Sequence, residues 1–136
     1  MLAFDHFTVA VNDLDASVRN WEARFGMTVQ AEQAHNPVGN FDFARLGYGD
    51  QTLVHLLHPS SSESPVHRLM ESRGVPGNEH GEGLYLMVFK TLDTAAMATK
   101  IEADGGRVTR NPRGTNVWVH PTASNFVMLE LQQPSA

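Results

Sequence analysis

The sequence predicts an α+β chain built from two tandem copies of one β-α-β-β-β unit. Three observations predict it. A strand-like alternation opens the chain at Phe4–Val11, and Leu14, Val18, Trp21 and Phe25 then recur at helical spacing. The same order of strand, Leu-Asp turn and helix returns over residues 83–108. Laid together, VNDLDAS at 11–17 falls on FKTLDTA at 89–95, an offset of 78 residues, and one inserted residue then brings Gly26 over Gly105 and Val29 over Val108. A repeat of this kind fixes the architecture, because each copy is one supersecondary unit that must bury a similar face.

Each element follows from local chemistry. In the first strand Phe4, His6, Thr8 and Ala10 share one face, while Asp5, Phe7, Val9 and Val11 share the other. The turn NDLD offers Asn12 or Asp13 as a helix N-cap, and Gly26 stands just past the helix end, where a left-handed residue is wanted. MTVQAE reads as a short strand. FDFARLGYGD and QTLVHLLHP read as two longer ones, split by a Gly-Tyr-Gly-Asp turn. A stretch rich in Pro, Ser and Gly follows. Within it SPVHRLMESRG predicts a short helix capped by Ser64 with Pro65 at its first position, and residues 75–82 read as an irregular loop.

The second copy runs in the same way. Leu84–Phe89 alternates as a strand, and Thr91 is the candidate cap of a helix that ends at Gly105-Gly106. RVT opens the next strand, and TNVWVHP and NFVMLELQQP are separated by a turn. The expected organisation is a first module over about residues 1–60, a linker over about 61–82 and a second module over about 83–134, all within one domain.

Composition limits the function classes. The chain has 136 residues, of which 41% are hydrophobic and 18% charged, so it can build a core and is not disordered. The net charge is −5 and the basic residues are scattered, which argues against a nucleic-acid partner. The absence of cysteine excludes disulfides, thiolate zinc sites and cysteine nucleophiles, and it suits the cytoplasm. MLAFDHF has neither a basic start nor a long apolar run, and no segment reaches the roughly 20 apolar residues of a membrane span. A soluble, cytoplasmic protein without a membrane partner is expected.

Glu130 is the most informative single residue, because it interrupts FVMLEL, a strand apolar on both sides. A carboxylate there is costly unless it is paired, hydrogen-bonded or metal-bound. By alternation Glu130 shares a face with Phe126 and Met128, His55 with Leu53 and Leu57, and Arg45 with Phe41 and Phe43. Two imidazoles and a carboxylate form a set that holds zinc, iron(II) or manganese, although His6, His55 and Glu130 are too far apart in sequence for spacing to show it. The competing reading is a hydrogen-bonded polar cluster without an ion. Arg45 either brings a cation to an anionic substrate or sits on the surface. His58 falls on the face opposite His55. His120 precedes a proline in a loop, and His35, His67 and His80 sit in polar contexts that read as solvated. Glu79, His80 and Glu82 gather in one loop, Tyr85 reads as core, and the side of the sheet taken by Trp118 is open.

DHFTVAVNDLDASVRNWEARFGM, its counterpart GLYLMVFKTLDTAAMATKIEADGGRVT and the terminal NFVMLEL together resemble the vicinal oxygen chelate superfamily, which includes glyoxalase I, methylmalonyl-CoA epimerase, extradiol dioxygenases and the bleomycin resistance proteins. LLHPSSSESPVHRLMESRG is similar to the epimerase branch. The resemblance implies two modules curled into half-barrels around a central cleft, with a divalent metal (Zn, Fe, Mn, Ni or Co) held from the first and last strand of each module. It assigns His6, His55 and Glu130 as ligands and puts Leu84 where metal-binding relatives carry histidine. It implies that Leu84, Arg45, Thr8, Phe126 and Met128 face a small-molecule substrate. The implied activity is that of a metal-dependent lyase, isomerase or dioxygenase using the ion on vicinal substrate oxygens. The missing imidazole counts against glyoxalase I itself, and the carboxylate base of the epimerases is not evident. The alternative is a metal-free binding protein of the drug-sequestering type. Relatives commonly pair as homodimers, so a homodimer is expected.

Overall fold

The opening alternation becomes strand β1, Ala3–Ala10, and Asp13 starts helix α1, Leu14–Phe25, by accepting from the Ala16 N–H at 3.0 Å. Gly26 closes it at φ 66°, a left-handed conformation that costs glycine nothing. The strand expected over MTVQAE is only two residues long, β2 (Thr28–Val29), and a further short strand, β3 (Ala34–Asn36), follows it. Strands β4 (Phe41–Tyr48) and β5 (Gln51–Pro59) form the expected hairpin. A bulge lies between Leu46 and Gly47, where any Cβ would run into the Gln51 carbonyl oxygen. Ser64 caps helix α2, Pro65–Arg73, and its hydroxyl donates to the Gly39 carbonyl at 2.7 Å. The second copy comprises β6 (Gly83–Lys90), α3 (Thr94–Ala103), β7 (Val108–Arg110), β8 (Asn116–Val119) and β9 (Leu129–Gln132). The structure, a computed structural model, describes residues 1–134.

Two expectations for the second copy are corrected. Thr91 does not cap α3. Its backbone N–H is spent on the Gln132 carbonyl at 2.9 Å, and Asp93 caps instead, accepting from the Ala96 N–H at 2.9 Å. The last strand does not begin at Asn125. Pro121–Ala123 forms a turn of 3-10 helix, and Asn125 and Phe126 take left-handed φ values of 54° and 66°, so only Leu129–Gln132 is extended into the sheet.

Contacts divide the chain into two units, one of Phe7–Tyr85 and one of Met1–His6 with Leu86–Ala136. In the first, the strand order is β2-β4-β5-β1, with β3 also on β4. β1 runs parallel to β5, pairing Thr8 with His55, and β4 runs antiparallel to β5, pairing Arg45 with His55. Val11, Leu14, Val18, Leu46, Val54 and Leu56 pack between α1 and one face of this sheet. Ala10, Leu57, Val66 and Met70, with Phe41, Phe43 and Tyr85 against them, make a second cluster under α2, so Tyr85 is the packing residue expected.

In the other unit the order is β6-β9-β8-β7. β6 runs parallel to β9, pairing Val88 with Glu130, and β8 runs antiparallel to β9, pairing Trp118 with Glu130. Ala98, Val117, Val119 and Leu131 form its core with Met97 and Ile101 of α3. The Phe4 ring stands edge-on to Phe89 at 5.7 Å between centroids.

These registers set the repeat more finely than the residue match does. β1 and β6 correspond at an offset of 80, as do the caps Asp13 and Asp93. The counterpart of His6 is therefore Leu86, not Leu84, and the counterpart of Thr8 is Val88. The Leu-Asp match that suggested 78 aligned Asp15, which sits inside the first turn of α1, with Asp93, which caps α3.

Candidate functional site

Two rows of side chains, one in each unit, carry the predicted site residues. In the unit of Phe7–Tyr85, Thr8, His55 and Arg45 are direct cross-strand neighbours on β1, β5 and β4. They share the face opposite α1, because Phe7, Val54 and Leu46 alternate with them into the α1 core. Phe43, two residues before Arg45, stacks on the His55 ring at 5.6 Å and 18°. The Arg45 guanidinium lies 5.5 Å from the Phe43 ring centroid. Its Nε is buried and has no hydrogen-bond partner among the described residues.

In the other unit the matching row is Val88, Glu130 and Trp118. The Trp118 indole N–H donates to Glu130 Oε1 at 2.6 Å. Asn116 Nδ2 donates to Oε2 at 3.3 Å, and Gln132 Nε2 donates to the same oxygen. Glu130 is thus a half-buried carboxylate held by three neutral donors, which meets the requirement that made it conspicuous in sequence. The open side of Trp118 is also settled: it faces Glu130. Asn116, Trp118 and Gln132 were not singled out as site residues, yet alternation along a β8–β9 hairpin would have placed all of them beside Glu130.

His6 is 6% exposed, and its Nδ1 lies 2.6 Å from Asp5 Oδ2. With the proton on Nδ1, the lone pair is on Nε2. A carboxylate behind a histidine is the arrangement that orients metal-bound or catalytic imidazoles. Strict alternation assigns Asp5 to the opposite face, so the sequence alone does not pair it with His6.

The remaining predicted residues scatter. Leu84 is 45% exposed and its carbonyl accepts from Arg73. Phe126 is 78% exposed in the turn before β9, and Met128 is half-buried with its carbonyl accepting from the Met87 N–H at 2.9 Å, so neither shares a strand with Glu130. His35 pairs with Asp42 at 2.8 Å and His67 with Glu71 at 3.1 Å, both at the surface. His58 Nδ1 lies 3.2 Å from the Val11 carbonyl. Asp13, Gln33, His35, Asp42 and His58 line a groove of about 470 Å³, which contains none of the row residues. Glu82 of the Glu79–Glu82 loop accepts from the Asn12 N–H at 2.8 Å.

By donor type, His6, His55 and Glu130 suit zinc, iron(II) or manganese, and Asp5 behind His6 adds to that fit. Among the described residues, no three His, Asp or Glu side chains stand together so as to hold an ion as they are.

A family profile described as the Glyoxalase/Bleomycin resistance protein/Dioxygenase superfamily matches residues 3–119. The chain belongs to this superfamily. Its fold is that of the superfamily: over its whole length it matches the whole of a Streptomyces coelicolor methylmalonyl-CoA epimerase, solved in complex with 2-nitronate-propionyl-CoA, with a TM-score of 0.80 and 27% identity. It also matches a Mycobacterium tuberculosis methylmalonyl-CoA epimerase with a TM-score of 0.79 over 98% of this chain and 89% of that one, a likeness of fold alone at 21% identity. A protein described as a putative lactoylglutathione lyase from Brassica oleracea var. gemmifera is 29% identical over 109 residues, 80% of this chain. The chain spans about a third of that relative's length, 35%. Members of the superfamily generally use a divalent metal.

Proposed function

We propose that this chain is a small-molecule enzyme of the lyase or isomerase type, acting on a compound with vicinal oxygens. The buried His6, held by the partly exposed Asp5, is the observation that carries this reading, since a histidine fixed by a carboxylate serves as ligand or base and has no packing role that a hydrophobic residue would not fill better. The lactoylglutathione lyase and epimerase relatives support the reaction class.

His6, His55 and Glu130 are the residues we propose as metal ligands. An ion bound there would supply Lewis-acid chemistry to the substrate oxygens. Asp5 fixes the His6 tautomer and so presents Nε2. Phe43 fixes the plane of the His55 ring. Glu130 would exchange donors from Trp118, Asn116 and Gln132 for the ion, so loading involves a local rearrangement of those side chains. Until then the three donors hold the carboxylate in place.

A second reading, a metal-free binding module, is favoured by one observation: those same donors already satisfy Glu130. Metal analysis after reconstitution with zinc, iron(II), manganese, nickel and cobalt separates the two. Stoichiometric metal that disappears in His6→Ala and Glu130→Ala is the expected result. No metal bound under any of the five conditions would overturn the metalloenzyme reading. The homodimer belongs to the same proposal, and a sedimentation mass near twice 15.0 kDa is expected.

A further inference from the structure

We propose that Arg45 is a receptor for a carboxylate group, and that the ligand of this protein is therefore a small organic acid. The buried Nε of Arg45 finds no acceptor among the described residues. A buried N–H without a partner is uncommon, and in a well-packed protein it calls for a reason. The guanidinium makes no ion pair among the described residues. Its neighbours on the same face are Phe43 along β4, His55 on β5 and, beyond it, Thr8 on β1, none of them acidic.

Comparison of the two modules supplies the reason. Arg45 pairs with His55 as Trp118 pairs with Glu130, at the same place in the repeated hairpin. In one module the cross-strand donor has its carboxylate: the Trp118 N–H donates to Glu130 at 2.6 Å. In the other the donor is an arginine and the residue opposite is a histidine, so no protein carboxylate stands where the repeat provides one. A carboxylate brought by the ligand fills that role.

The geometry selects the group. Phe43 lies against the guanidinium, and the Nε–Nη edge carries the N–H that lacks an acceptor, which a ligand reaches by displacing the side chains that cover Nε. That edge offers two parallel N–H donors, which match the two oxygens of a planar carboxylate. Thr8 lies two strands from Arg45, on the order of 10 Å away at the usual strand spacing. Naming this acid the substrate rests on the enzyme reading above; that Arg45 binds a carboxylate does not.

The test uses the full chain labelled with ¹⁵N and follows the Arg45 Nε–Hε resonance during titration with acetate and with pyruvate. Acetamide serves as the neutral control and inorganic phosphate as the other anion. A saturable shift with acetate and pyruvate, absent with acetamide, is expected, together with shifts at the Thr8 and His55 amides. Arg45→Lys should weaken binding at least tenfold and Arg45→Met should abolish the amide shifts. No saturable Nε–Hε shift with either carboxylate in the unaltered protein would overturn the proposal, as would a response to phosphate alone or unchanged amide shifts in Arg45→Met. His6→Ala and Glu130→Ala should keep carboxylate binding. Metal reconstitution that fails while pyruvate still binds would therefore sink the metalloenzyme reading and leave this one standing.

Discussion

One difference between the two modules is a leucine in place of a histidine. His6 is held by Asp5 in β1, and its counterpart in β6 is Leu86, so one imidazole of a potential four-ligand set is missing. If His6, His55 and Glu130 are ligands, Leu86→His should raise metal affinity by tenfold or more, because a fourth protein donor replaces water. Leu84→His, two residues away and exposed, should leave it unchanged. A competition titration against a chromophoric chelator checks both, and equal effects of the two substitutions would contradict the offset of 80. Glu130 offers a second test. Trp118→Phe removes the indole donor at 2.6 Å and should cost about 1–3 kcal/mol of apo stability, the usual penalty for depriving a carboxylate of a hydrogen bond, read from urea unfolding.

At the level of elements, the helices are set by their caps. Asp93→Ala should destabilise the protein by about 1 kcal/mol through loss of the bond to the Ala96 N–H, while Thr91→Ser should change thermal stability little. One charge pair ties α3 to β7. Hydrogen bonding from Arg110 holds the Glu102 carboxyl below its ordinary value of 4.5. A carboxyl depressed in the folded state contributes stability that is present above pH 4.5 and lost as pH falls through the lower folded value. Wild type and Arg110→Ala should thus differ slightly in Tm at neutral pH and converge below pH 4.5. Both groups are exposed, so the difference is small and should shrink further in high salt.

Over the whole molecule, the two units have separate cores. Leu56 is fully buried in the unit of Phe7–Tyr85, and Leu131 is buried in the other. Leu56→Ala and Leu131→Ala should each cost about 2–5 kcal/mol. Hydrogen exchange should show each substitution loosening first the amides of its own unit, β4 and β5 for Leu56 and β8 and β9 for Leu131. Among the described residues no helix is long and apolar enough to cross a membrane.

The repeat, the alternation of β1, β4, β5 and β6, the cap Ser64, a cap at Asn12 or Asp13, and the oddity of Glu130 were legible in the sequence, because each follows from a period or from a residue type with one physical role. What the linear chain left undetermined was register. An error of two residues keeps every side chain on its face, so alternation could not tell Leu84 from Leu86; only the hydrogen-bonded ladder of β6 with β9 could. Only the structure shows that β9 is short, that Phe126 lies in the turn before it, and that the β8–β9 ladder sets Trp118 against Glu130. The sequence by itself determined which residue types were available for chemistry and, along β1, β4 and β5, on which faces they lie. The tertiary structure decided which donor meets which acceptor, because hydrogen bonds act over about 3 Å, far more sharply than any sequence period. That is why Trp118 is satisfied, and why the buried Nε of Arg45 is left without a partner among the described residues.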